Sequence, residues 1–81
     1  MQINKAVFGS LEYEWNKTKG FLNILWVLNR NQGNGDFRRF LEKIKKEPKV
    51  RIKWVSYQWL KDYLIKHGFK KERKDDYIWI K

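Results

Sequence analysis

Residues 21–28, Phe-Leu-Asn-Ile-Leu-Trp-Val-Leu, constrain the fold more than any other stretch, because only Asn23 among them is polar. An extended segment with no polar face must be covered on both sides, which puts it in the middle of a sheet. It is also far shorter than the roughly 20 residues a membrane-spanning helix needs. Just before it, Leu11, Tyr13 and Trp15 alternate with Glu12 and Glu14 and predict a half-buried strand. The polar residues 16–20 read as the turn between these two strands. Residues 6–8 supply a further strand ahead of a Gly9-Ser10 turn, so the first third is expected to be an antiparallel meander.

The polar, glycine-containing stretch 29–36 has to be a loop. Phe37, Phe40, Leu41 and Ile44 then recur at helical spacing, with Arg38, Arg39, Glu42, Lys43 and Lys45 facing outward, and Pro48 ends the helix. Val50, Ile52 and Trp54 alternate with Arg51 and Lys53 as another strand. Ser56 is the expected N-cap of a second helix whose apolar side is Trp59, Leu60, Tyr63 and Leu64, and Gly68 is its left-handed C′ residue. Phe69 opens a strand, residues 74–76 form a turn, and residues 77–80 make the last strand. The expected fold is α+β: one domain over residues 1–81, with a mixed, mostly antiparallel sheet and two helices.

A chain of 81 residues buries only about 60% of its unfolded surface, so its core must be dense. Five Trp, four Tyr and five Phe meet that need, since each buried ring removes roughly 150–250 Å² from water. The absence of cysteine rules out disulfides and a thiolate nucleophile, and one histidine rules out a His cluster around a metal. No signal-peptide pattern opens the chain, which leads to the expectation of a cytoplasmic protein without membrane association. The net charge is +10, and residues 1–29 hold only three Lys against two Glu, so the excess lies beyond them. An anionic partner for the C-terminal two-thirds is expected, whether a coenzyme, a nucleic acid or an acidic protein surface.

A buried strand that enters a glycine-rich loop and then a helix gathers backbone N–H groups at the positive end of the helix dipole, where anions bind. Glycine at positions 33 and 35 lets the backbone come close to phosphate oxygens, and Arg30 adds a charge-assisted donor. Arg30, Asn31, Gln32, Gly33, Asn34 and Gly35 resemble the R/Q-x-x-G-x-G/A signature of the GNAT family of N-acetyltransferases. Residues 63–69, ending in Gly68-Phe69, resemble the helix end of the same family. Both matches fall in the family's order and together cover roughly residues 21–81. The resemblance implies an acyl-CoA N-acyltransferase-like sheet splayed between the strand before the loop and the strand after it, with acetyl-CoA in the gap. It further implies that residues 30–35 hold the pyrophosphate and that Leu28 pairs with the pantetheine. Arg38 and Arg39 are placed to reach the outer phosphate.

The acceptor implied by the resemblance is a primary amine. The family's general-acid Tyr falls here on Leu64, so Tyr63, one residue away, is the candidate acid; its alternative is a place in the aromatic core. Glu14, with Glu12, is the nearest candidate base, and the alternative for both is an exposed face of an edge strand. His67 is expected to meet helix C-terminal carbonyls. Two other functions fit the sequence: a basic nucleic-acid-binding module using Trp54, Tyr57 or Trp79 as stacking surfaces, and an inactive GNAT-like scaffold that binds a protein.

Overall fold

The computed structural model describes residues 2–29 and 35–81 and shows an α+β fold, a six-stranded mixed sheet with two helices. In chain order the elements are β1 (Asn4–Phe8), β2 (Leu11–Thr18), β3 (Phe21–Asn29), α1 (Asp36–Ile44), β4 (Lys49–Ile52), α2 (Gln58–Lys66), β5 (Lys70–Lys71) and β6 (Tyr77–Ile80). The strands lie in the order β1-β2-β3-β4-β6-β5. Among the described residues only the β3–β4 pair is parallel; the other four pairings are antiparallel.

The meander forms as its turn residues dictate. Gly9 at φ +57° closes β1 on β2, and Lys19 with Gly20, at φ +51° and +83°, closes β2 on β3. The second turn is tighter than residues 16–20 suggested, because β2 runs on to Thr18 and its Asn16 lies opposite Asn23. Asn23 Nδ2 donates to Asn16 Oδ1 at 3.0 Å and to Thr18 Oγ1 at 2.8 Å, while Arg51 Nη1 donates to Asn23 Oδ1 at 3.2 Å. The one polar residue in the apolar run is therefore fully engaged, and burying it costs little.

Both helices cover the same face, joined by a ring contact of 5.6 Å between Phe37 and Tyr63. Beneath them Phe40 meets Tyr13 at 4.8 Å, and Leu11, Ile24, Leu41, Val50 and Leu64 are fully or almost fully buried. Of the stripe read for α1, Phe40, Leu41 and Ile44 are buried in the core, and Phe37 is half-buried against it. At the end of α2, Gly68 adopts φ +93°, the Phe69 N–H donates to the Leu64 carbonyl at 2.9 Å, and Phe69 is buried. This is the glycine-terminated end expected from the sequence.

Four local expectations are corrected. Trp54 is not part of β4, which stops at Ile52; its backbone turns to φ +57° and its side chain is 65% exposed. Tyr57, not Ser56, occupies the N-cap of α2, with no side-chain capping bond. Trp59 points to solvent, leaving Leu60 and Leu64 as the buried side of α2. Finally, β3 is covered on both faces only over its first half, since Trp26 and Leu28 are exposed. None of the described helices is long and apolar enough to cross a membrane.

Candidate functional site

The sheet opens at the parallel junction between β3 and β4. β3 and β4 are in register for three pairs, Leu22↔Val50, Asn23↔Arg51 and Ile24↔Ile52, and the Lys53 N–H still reaches the Ile24 carbonyl at 3.0 Å. Beyond that point the chain after β4 takes other partners. The Trp54 N–H donates to Asp76 Oδ1 at 3.2 Å, and the Val55 N–H donates to the Asp75 carbonyl at 2.7 Å. The bend before β6 thus draws residues 54–55 away from β3. Among the described residues, no strand pairs with that side of β3 over residues 25–29.

A cleft of about 550 Å³ fills the opening. One wall is β3 from Ile24 to Asn29; the other is residues 52–57 with Trp59 and Leu60 of α2. Phe37, in the first turn of α1, closes it on the helix side. Among the described residues the lining is largely apolar and aromatic, with Lys53 its one ammonium, a composition suited to an organic ligand held by few polar contacts.

A bulge shapes the β3 wall. Glu14 pairs with Trp26 and Trp15 with Ile24, so Leu25 is an extra residue in β3 with no partner opposite it on β2. Bulges bend a strand and re-aim the side chains beside them. Here Leu25 and Trp26 both reach the cleft and also a second hollow of about 370 Å³, lined by Ile3, Glu14, Leu25, Trp26 and Trp54.

Of the residues singled out in the sequence, Arg30, Asn31, Gln32, Gly33 and Asn34 lie outside the described residues. Asn29, which precedes them, lines the cleft, and so does Phe37, three residues after Asn34. Gly35 is the N-cap of α1 at φ +83°, a left-handed conformation that favours glycine. Leu28 lies on the cleft wall. Arg38 and Arg39 are exposed on the first turns of α1, and Arg39 is ion-paired with Asp36.

Asp36 fixes where α1 begins. Its Oδ2 accepts from the Ser10 N–H at 2.8 Å and from the Ser10 hydroxyl at 2.8 Å, tying the helix start to the β1–β2 turn. These bonds, the backbone one first, and then Arg39, lower its pKa to about 2. The carboxylate is thereby turned toward β1–β2 and partly neutralised, which reduces the repulsion an anion at the helix start would meet.

Tyr63 does not line the cleft. Its ring is half-buried between Phe37 and His67, 5.6 and 4.3 Å away, so it stands behind Phe37 as seen from the opening. The His67 N–H donates to the Tyr63 and Leu64 carbonyls, and burial first, then the charges of Lys45, Lys66 and Arg38, lower the imidazole pKa. Glu14 is placed differently from the edge-strand reading: β2 lies between β1 and β3, and the carboxylate is half-buried in the second hollow. Trp54 and Tyr57, read from sequence only as stacking surfaces, stand on the cleft wall. A positive φ at Trp54 has no sequence signal, because Trp disfavours it. Among the described residues no group of His, Cys, Asp and Glu could hold a metal.

No protein-family model matches the chain, and neither the curated proteins nor the solved structures include a significant match to it.

Proposed function

We propose that the chain is an acetyl-CoA-dependent N-acetyltransferase of GNAT type, with its cosubstrate in the cleft between β3 and β4. The supporting observation is the parallel pair that holds for three registers and then parts. The sequence resemblance implies a splay between these same two strands. An acyl-pantetheine arm is extended and carries two amides, and β3 from Leu25 to Leu28, where β4 no longer pairs with it, offers main-chain groups as a sheet edge offers them to a peptide strand. At the far end, a diphosphate beside residues 30–35 meets the start of α1 with its dipole favourable.

In the transfer, a neutral amine attacks the thioester carbonyl. The N–C bond forms, the C–S bond breaks, and coenzyme A leaves as a thiolate that takes up the proton the nitrogen sheds. Main-chain N–H groups of β3 near Leu28 would polarise the carbonyl. A thiolate is a good leaving group, so the position of Tyr63 away from the cleft does not by itself block the reaction.

The test is calorimetric titration with acetyl-CoA of the parent, Ser56→Trp and Gly33→Val. Ser56 is exposed on the cleft wall, so the new indole fills the cleft without disturbing the core. The parent is expected to bind at micromolar affinity, about −8 kcal/mol, and both variants to lose at least about tenfold with unchanged circular dichroism. No binding by the parent, or equal binding by all three, refutes the reading. A second reading draws on Trp54 and Tyr57, 65% and 64% exposed beside Lys53: single-stranded nucleic acid stacked on the aromatic rim. Affinity for oligonucleotides that falls steeply with salt, with no response to acetyl-CoA, would favour it.

A further inference from the structure

We propose that the second hollow, on the face of the sheet away from the helices, binds a primary alkylammonium carried on a neutral or acidic molecule. Its identification as the acceptor amine rests on the acetyl-CoA reading; the ammonium site does not. Three features of the hollow point to this ligand.

The first is the pairing of charge and ring. Glu14 and Trp26 are direct cross-strand partners on that face, so a carboxylate and an indole stand side by side. Trp54 lines the same hollow, and the two rings are 48% and 65% exposed. A carboxylate with indole faces around an open space is the surface that recognises an ammonium through charge and cation–π attraction.

The second is that two ammonium groups of this chain already make these contacts, one with a ring and one with the carboxylate. Lys53 Nζ lies 5.2 Å from the Trp54 ring centroid, and Lys5 Nζ approaches Glu14 Oε2 at 4.0 Å. The Lys5 side chain is 84% exposed, so this long, solvated pair is weak and easily displaced. Lys5 stands in for the incoming amine.

The third is position. Leu25, Trp26 and Trp54 belong both to the hollow and to the cleft, so an amine held by Glu14 borders whatever occupies the cleft. Glu14 would hold the ammonium at that border, and loss of its proton to water leaves the neutral amine as nucleophile. The net charge of +10 disfavours a polycation and attracts an acidic carrier, which restricts the substrate class to a lone amine in neutral or acidic surroundings.

The experiment follows the five Trp indole N–H resonances by NMR during titration with n-pentylammonium, n-pentanol and two capped peptides, Asp-Lys-Asp and Lys-Lys-Lys. Pentylammonium should shift the Trp26 and Trp54 signals and bind at least about tenfold more tightly than pentanol. Glu14→Gln should lose about tenfold, and Lys5→Gln should bind more tightly than the parent. Equal affinity for pentanol and pentylammonium, or no effect of Glu14→Gln, overturns the site. Tighter binding of Lys-Lys-Lys than of Asp-Lys-Asp overturns the carrier. Ammonium binding without acetyl-CoA binding leaves this site standing and removes acetyl transfer; acetyl-CoA binding without ammonium binding does the reverse.

Discussion

Gly9→Ala tests whether the β1–β2 turn anchors the start of α1. A Cβ built on Gly9 would lie 2.5 Å from Asp36 Oδ2 and 2.8 Å from its Cγ, inside the closest approach real Cβ atoms make. The carboxylate has little freedom to retreat, because the Ser10 N–H and hydroxyl hold the same oxygen. Gly9 also sits at φ +57°, where an L-residue costs about 1–2 kcal/mol. Adding about 1–3 kcal/mol for the overpacking gives a loss of about 2–5 kcal/mol. A domain of 81 residues has only about 4–12 kcal/mol of stability to lose.

Gly20→Ala is the matched control. Its φ is +83° and a Cβ there meets nothing within 4 Å, so only the backbone cost of about 1–2 kcal/mol applies. Urea unfolding followed by circular dichroism gives both values. Repeating Gly9→Ala in an Asp36→Ala background should remove most of the excess over Gly20→Ala, as a double-mutant cycle requires for contacting residues. Equal losses for Gly9→Ala and Gly20→Ala, or an excess that survives Asp36→Ala, would refute the anchor.

Two further outcomes follow from the same geometry. The folded pKa of Asp36, about 2, is below its ordinary value of 3.8, so its stabilisation is complete above the higher value and is lost as pH falls from about 4 toward 2. Acid unfolding monitored by tryptophan fluorescence should be less steep in that window for Asp36→Ala than for the parent. Trp54→Gly relieves a positive φ at an exposed residue, so the unfolding free energy from urea titration should hold or rise by up to about 1 kcal/mol, while the NMR response to pentylammonium is lost. A large destabilisation would show that Trp54 supports the fold instead of the site.

The residues whose behaviour depends on near neighbours were legible in the sequence. The alternation from Leu11 to Trp15, the stripe Phe40, Leu41 and Ile44, and the glycine end before Phe69 each lie in the element their periodicity predicts, because local geometry decides which side chains share a face. Together these patterns determined an α+β domain with a mixed sheet and two helices. Only the tertiary structure shows what opens that sheet. Asp75 and Asp76 take the Val55 and Trp54 N–H groups across some 20 residues of chain, turning Trp54 off its alternating strand pattern and uncovering the second half of β3. Pairing of β2 with both β1 and β3 makes Glu14 a residue of an inner strand, and the turn at Trp54 brings that ring to the hollow that Glu14 and Trp26 line. No periodicity records such a meeting, since it depends on which backbone groups distant segments satisfy for one another.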